Sequence, residues 1–540
     1  MTKIKKFVSK IKNHPVIKKQ TVAQATILIT AFLLLSKTIG FFREILIAKY
    51  FGATGQTDAF LIALIIPTLI MGLVSSGLGT LIIPVYIEKS KKDKNQAKIF
   101  VNQIFFIWLM ITAILSLIIY LFTPFFVRLI AYGFQGERFN LAVNLTKYLI
   151  PLGFATVFIG FFTGIYQSKK QFLYPTIISV IGNALIVLSL ILFANKLGIN
   201  SWTIGQLSFS AFCFFSLFFV LYKKWHFFKE FNLKKFQTKE IKNFLIILLP
   251  LILAGGINIL NQIVDKTIAS GLPIGSISIL NFAQRTYAIP LTILVVPLIT
   301  AIFPTFSSLA TDKDKSKRKN YAQILKKSLF LSWSIIIPIA VIMMILAEPI
   351  VKFLFQRGAF TNIATQLTAL TVTMYSIGLF AVSANYFLIK IFYSFQNTKT
   401  PLILGAIIVS INIIGNIVLS KILGVQGIAL ATSIASIIGF ILYFKVIKNK
   451  YFKNENFIIS VKKILKIILL SVLLGITSLF LKPYLLTYSP NLFSFALKFV
   501  ISGLTLTLFY FILSQLLKVQ EIEIIGDYFK KILNILIKKI

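Results

Sequence analysis

The sequence predicts an all-α integral membrane protein of about fourteen transmembrane helices. Two parallel six-helix repeats form an N-lobe and a C-lobe, and two further helices follow at the C-terminus. Three observations predict it. Of 540 residues, 57% are hydrophobic and only 13% charged, about half the charged share of a soluble domain, and the mean hydropathy is +0.88. Apolar stretches of roughly 20 residues or more, enough to cross a bilayer, recur along the whole chain between short polar breaks. A stretch of the first half is echoed in the second.

Polar punctuation places spans over about 22–48, 58–87, 99–123, 141–167, 174–195, 201–222, 244–269, 276–308, 321–355, 362–393, 401–421, 425–447, 459–481 and 491–517. Several are longer than a straight crossing needs, which implies tilt or kinks. Pro67, Pro151, Pro250, Pro290, Pro297 and Pro338 are the candidate break points. The organisation is then a basic N-terminus (1–21), an N-lobe (22–222), a linker (223–243), a C-lobe (244–448), two extra spans (459–517) and a tail (518–540). The tail carries apolar residues at helical spacing with lysines between them, the pattern of an amphipathic surface helix.

Lys+Arg total 56 against 15 Asp+Glu. In a soluble chain that excess would point to nucleic acid. Here most lysines sit between apolar spans, where they set topology. The basic segments are the N-terminus, Lys89 to Lys98, Lys169-Lys170, Lys223 to Lys242, Lys313 to Lys327, Lys445 to Lys453 and the last twelve residues. They alternate with poorly basic loops at 52–57, 197–200, 271–275, 424–427 and 485–491. The positive-inside rule puts the basic set, and both termini, in the cytoplasm. A lysine-rich start runs straight into the first span, so an uncleaved span is expected there rather than a signal peptide. Cys213 is the sole cysteine, so there is no disulfide framework.

The repeat is carried by Tyr166-Gln-Ser-Lys-Lys-Gln-Phe-Leu-Tyr-Pro175 and Tyr393-Ser-Phe-Gln-Asn-Thr-Lys-Thr-Pro401. Each precedes a span that ends at a glycine, Gly198 or Gly424, at the same distance from its proline. Upstream, Pro124-Phe-Phe-Val-Arg128 echoes Pro349-Ile-Val-Lys352. Six spans per half give parallel repeats.

The feature that demands a function is Ser36-Lys37-Thr38-Ile39-Gly40-Phe41-Phe42-Arg43-Glu44, inside the first apolar span. A charge at bilayer depth costs at least ~2.5–3.5 kcal/mol, so such residues usually face a water-filled cavity or a partner. The bland alternative, snorkelling from a helix end, fits poorly with a helix that continues to Ala48. Asp58 opens the second span, Asp265-Lys266 end the seventh, and Gln284-Arg285 lie in the eighth. Lys37, Arg43, Lys266 and Arg285 outnumber Glu44, Asp58 and Asp265, so the set favours an anion. Arginine suits bidentate recognition of phosphate or carboxylate, and Arg43 and Arg285 fall in different lobes. Substrate contact is therefore expected of Arg43 and Arg285, then of Lys37 and Lys266. A gating or ion-pair role is expected of Asp58, Glu44 and Asp265.

Asn412 and Asn416 are four apart on one face of the eleventh span, and Thr432 lies in the next. Their oxygens suit a sodium ion, although interhelical hydrogen bonding is the commoner use of such residues. Walker A, GxSxG and HExxH motifs are absent, and His14 and His226 stand alone in basic segments. The expectation is a transporter, not an enzyme, without nucleic acid as a partner, driven by sodium, by the membrane potential or by the lipid gradient itself.

The chain resembles the MurJ (MviN) lipid II flippases of the multidrug/oligosaccharidyl-lipid/polysaccharide exporter (MOP) superfamily. The resemblance is carried by Ser36 to Glu44, Phe51-Gly52-Ala53, Thr57-Asp58-Ala59-Phe60, Ile66-Pro67-Thr68-Leu69 and Val264 to Leu272. It continues through Asn281-Phe-Ala-Gln284-Arg285, Phe355-Gln-Arg357-Gly-Ala-Phe360 and Tyr393 to Pro401, and so covers about 20–450. It implies two lobes around a cationic cavity, with the two last helices shaping a groove for a polyprenyl tail. It implies export of lipid II, the undecaprenyl-pyrophosphate-linked peptidoglycan precursor, across a bacterial cytoplasmic membrane, by a multi-pass protein expected to be a monomer. The family's cavity charges map onto Lys37 (usually Arg), Arg43, Asp58 and Arg285. Its sodium site maps onto Asn412, Asn416 and Thr432, with the Ile428 carbonyl.

Three positions depart from the family pattern. An arginine pair in the second span is Met71-Gly72 here, a nearby glutamate is Ser76, and a sodium-site carboxylate is Asn416. Two other readings compete. Another polyprenol-linked polysaccharide, of O-antigen or teichoic type, would use the same chemistry. An ion-coupled multidrug antiporter would favour carboxylates in the cavity, and a non-transporting scaffold would not need charge buried in both lobes.

Overall fold

A bilayer offers the backbone no hydrogen-bond partners, so long apolar segments can only fold as helices there. The computed structural model describes residues 22–228, 238–310, 315–453, 460–487 and 492–519, and among these no strand occurs. The expected N-terminal basic segment, nearly all of the tail and residues 229–237 of the linker lie outside the described residues.

The helices are α1 (Val22–Phe51), α2 (Gly55–Lys92), α3 (Lys94–Leu121), α4 (Thr123–Ile130), α5 (Gly136–Ser168), α6 (Leu173–Leu197) and α7 (Asn200–Trp225). They continue as α8 (Thr238–Ser270), α9 (Ser276–Pro290), α10 (Val296–Ala310), α11 (Lys315–Ile345), α12 (Ala347–Phe355), α13 (Asn362–Ile377) and α14 (Leu379–Ser394). The last four are α15 (Lys399–Leu423), α16 (Val425–Tyr451), α17 (Val461–Leu486) and α18 (Leu492–Leu516). Among the described residues, eleven helices are long and apolar enough to cross a membrane, or twelve if α13 and α14, bent by 48°, make one span. Helices α1 and α8 occupy the other two expected positions. The expected span 321–355 is broken at Leu346 into α11 and the short α12.

The sequence repeat reappears in backbone geometry. Lys170 and Gln396, each five residues before its proline, have φ of 58° and 55°. Gly198 and Gly424 end α6 and α15 with φ, ψ of 54°, −137° and 61°, −136°, a conformation open essentially to glycine alone. A short helix follows a break in both halves, α4 after α3 and α12 after α11.

Cα packing divides the chain into two compact units. Unit 1 comprises the chain to Tyr50, Ala59–Arg128 and Gln135–Gly256; unit 2 comprises Phe51–Asp58, Leu129–Phe134 and the chain from Ile257. The boundary falls within α8 rather than in the expected linker at 223–243, and two short loops of the first half belong to unit 2.

In unit 1, α6 pairs with α7, and α5 packs on both α3 and α7. Helices α2 and α5 approach through small residues. A Cβ on Gly79 would stand 2.8 Å from the Gly160 carbonyl oxygen, and Ser75 Oγ donates to the Thr156 carbonyl at 2.8 Å, the usual way membrane helices come close. Phe105, Phe158, Phe162, Phe214, Phe218 and Phe228 form one aromatic cluster. At the lysine-rich end, Lys169 Nζ lies 4.9 Å from the Trp225 ring and 5.3 Å from that of Tyr86, a cation–π clasp.

In unit 2, α15 pairs with α16, and α16 also packs against α13 and α14. The two last spans join this unit, α17 against α11 and α18 against α17. Between them lies an apolar cavity of about 540 Å³, lined among others by Ile335, Ile342, Leu474, Phe499, Leu506 and Tyr510. Pro290 ends α9, and a π-helical turn over Leu291–Val295 joins it to α10, closed by the Val296 N–H donating to the Leu291 carbonyl.

Candidate functional site

Charged side chains inside the spans fall into two kinds, those left accessible and those absorbed into the packing. In unit 1, Lys37 is exposed on α1. One turn and a half further, Arg43 Nη2 donates to Glu44 Oε1 at 2.9 Å, with the Arg43 side chain 18% exposed and that of Glu44 5%. Arg43 Nε is buried and has no hydrogen-bond partner among the described residues. This ion pair leaves part of the guanidinium fork unused. In unit 2, Arg285 is exposed on α9 and Lys266 half-buried near the end of α8.

Asp58, at 1% exposure, is absorbed. Its Oδ2 accepts from the Gly275 N–H at 2.7 Å, and its Oδ1 from the Ser278 N–H at 2.8 Å and the Ser278 hydroxyl at 2.6 Å. This carboxylate caps the N-terminus of α9, where orphan N–H groups and the helix dipole both favour an anion. The cap belongs to a loop cluster of unit 2. Gly52, at φ 61°, leaves no room beside Ala359, since a Cβ there would stand 2.2 Å from the Ala359 carbonyl oxygen. Arg357 in turn donates from Nη1 to the Leu354 carbonyl at 3.3 Å and from Nη2 to that of Phe353 at 2.5 Å, which neutralises the C-terminus of α12. So Phe51-Gly52-Ala53, Thr57-Asp58 and Gln356-Arg357-Gly358-Ala359, far apart in sequence, meet around the start of α9.

The carboxamides expected to suit sodium form a buried network, and Asp265 is part of it. Asn416 Nδ2 donates to Asp265 Oδ1 at 2.6 Å and to Asn412 Oδ1 at 3.1 Å. Asn412 Nδ2 donates to Thr432 Oγ1 at 3.2 Å, which donates to the Ile428 carbonyl at 3.1 Å. Close by, Gln284 Nε2 donates to the Tyr375 hydroxyl at 3.0 Å, and the Tyr375 ring stacks on Tyr287 at 4.6 Å. As a sodium shell the set does not fit. Hard cations gather about six oxygens, whereas three oxygens here already accept N–H groups and the Ile428 carbonyl accepts a hydroxyl. One oxygen, Asn416 Oδ1, is buried without a hydrogen-bond partner. Among the described residues, no group of three or more His, Cys, Asp or Glu could hold a metal.

Sequence reasoning placed Asp265 with the gating carboxylates, missed that Asn416 is its partner, and missed Tyr375 altogether. The signal available for Asp265 was its neighbourhood, a lone carboxylate at the end of an apolar span. Nothing in the sequence marked Tyr375, which lies 91 residues from the glutamine that bonds it.

Comparison with solved structures defines the fold. An inward-facing multidrug transporter of the MATE family and MOP superfamily matches over 80% of this chain and 99% of that one, at TM-score 0.65 and 14% identity, a likeness of fold alone. The protein is a multi-pass helical membrane protein of that fold. A family model described as lipid II flippase MurJ matches residues 47–496, and the chain belongs to that family. The structure titled "Lipid II flippase MurJ, inward closed conformation" matches at TM-score 0.76 and 27% identity, over 91% of this chain and 99% of that one. The lipid II flippase of Thermosipho africanus is 29% identical over 90% of this chain and 95% of its own length. The probable lipid II flippase of Thermotoga maritima is 26% identical with the same coverage.

Proposed function

We propose that the protein carries lipid II from the inner to the outer leaflet of a bacterial cytoplasmic membrane, as a transporter without a catalytic step. The family membership carries this reading, and the chemistry of the charged residues supports it over its rivals. A pyrophosphate needs accessible cationic donors. Arg43, with a buried N–H to spare, and the exposed Arg285 supply them, one in each unit, assisted by Lys37 and Lys266. An antiporter of organic cations would want carboxylates there. Asp58 is instead used as a helix cap, and Glu44 as the partner of Arg43.

In the mechanism, the arginines engage the pyrophosphate and alternating access opens the path to either leaflet. The polyprenyl tail stays out of the polar path in the apolar cavity between α11, α17 and α18, or in the bilayer. Asp58 serves the gate, because its cap on α9 holds only while residues 51–58 stay in place. The working unit is a monomer with both termini cytoplasmic, and the drive is the membrane potential or the lipid gradient. The test is genetic. The gene is expressed in cells depleted of their own lipid II flippase, with membrane insertion verified. Restored growth and lipid II export to the outer leaflet are expected. An inserted protein that restores neither has another cargo.

A further inference from the structure

The second unit contains one buried carboxylate whose partner is unusual. Asp265 is 3% exposed and Asn416 0%, and the contact between them is a direct 2.6 Å N–H···O bond. An amide donor and a cation are alternative ways to satisfy the same carboxylate. Turned the other way, the amide would set its oxygen against a carboxylate oxygen, two acceptors with nothing between them, which is costly in a low-dielectric interior. The same Asn416 amide group also donates to Asn412, so a single side chain joins α8 to the polar face of α15, and Asn412 passes the connection to α16. The charge count agrees: the cluster holds one carboxylate, with Lys266 next to it in the chain.

We infer that in this chain the amide of Asn416 takes the place of a cation, so that unit 2 is locked through Asp265–Asn416–Asn412–Thr432 without sodium. Residue 416 is then the determinant. An aspartate there would face Asp265 with a second negative charge and would make the same cluster require a monovalent cation. The relatives' expected carboxylate at this position and the asparagine here are two solutions to one electrostatic problem. This inference does not need the cargo to be lipid II.

The test uses the purified full-length protein in detergent and needs no transport assay. Thermal unfolding midpoints are measured in sodium, potassium and choline chloride at equal ionic strength. The wild-type midpoint is expected to be the same in all three. Asn416→Asp is expected to unfold several degrees lower in choline or potassium and to recover in sodium. Asn416→Ala, which removes the amide without adding charge, is expected to lose stability equally in every salt. Sodium-specific stabilisation of the wild type, lost in Asp265→Asn, overturns the inference, and the wild-type measurement stands even if the variants fold poorly. An Asn416→Asp protein that folds but ignores sodium overturns the assignment of residue 416 as the determinant.

Discussion

Arg43 and Asp265 are both charges set within apolar helices, yet the fold treats them in opposite ways. Around Asp265 the amides of α15 close on the carboxylate and on one another. Around Arg43, one bond to the adjacent Glu44 uses a single nitrogen, and a buried N–H is left over. A buried donor without a partner costs about 1–3 kcal/mol. A stretch that carries such a cost beside an exposed lysine has a donor to offer a ligand, whereas the Asp265 network ties α8, α15 and α16 together and leaves over one acceptor, Asn416 Oδ1. The comparison sets residues proposed to act on the cargo against residues that hold the unit together, and it can be broken or sharpened residue by residue.

The largest effect is expected from Arg43→Ala combined with Arg285→Ala. Growth rescue of flippase-depleted cells should fall to background while the protein still inserts and its unfolding midpoint stays near wild type. Full rescue by the double variant would end the two-arginine assignment. Because Met71-Gly72 stands where the family resemblance implies an arginine pair, Arg43→Ala alone should already be severe, and Arg43→Lys should recover only part of the activity, since a lysine lacks the bidentate fork.

Next in size is a block of the apolar cavity. Gly503 lines it, and a Cβ there meets open space within 4 Å. Gly503→Phe should therefore fold normally yet impair export of a lipid-linked substrate, and unchanged export would remove the cavity from the tail path. Removing the cap with Asp58→Ala leaves the Gly275 and Ser278 donors to find other partners. A loss of about 1–3 kcal/mol in stability is expected, read as a lower unfolding midpoint. Asp58→Asn, which keeps an acceptor, should lose less. The smallest effect belongs to Tyr375→Phe. It takes the acceptor from Gln284, at a cost of about 0.5–1.5 kcal/mol, and should leave rescue intact. Lost rescue would mean that the residue does more than hold α9 against α13.

Much of the fold was legible because a membrane makes the code simple. Hydropathy placed α6, α7, α15 and α16 within a few residues, and the matched Pro175–Gly198 and Pro401–Gly424 spacings announced the repeat that Lys170 and Gln396 share in backbone angle. The short helices α4 and α12 were not separable from the spans before them, since apolar residues run across both breaks. At the site, residue type was readable and partnership was not. An aspartate opening a span looks the same whether it faces a cavity or caps a helix 217 residues away. Asp265 and Asn416, 151 residues apart, could be paired only by tertiary packing. The difference between a cation shell and an amide lock lies in which atom of a carboxamide faces the carboxylate.

The π-helical turn at Leu291–Val295 has a consequence for how one span serves two chemistries. A five-residue hydrogen-bonded step carries one residue more than the α-helical step, which advances every later side chain by about 100° around the axis. Arg285, before the turn, and the residues from Val296 onward, after it, therefore do not share the stripe that a continuous helix would give them. Leu294, inside the turn, lines the apolar cavity. A single inserted residue thus lets one crossing present its cationic end and its greasy wall in directions set independently, as a molecule with a charged head and an oily tail requires of whatever carries it.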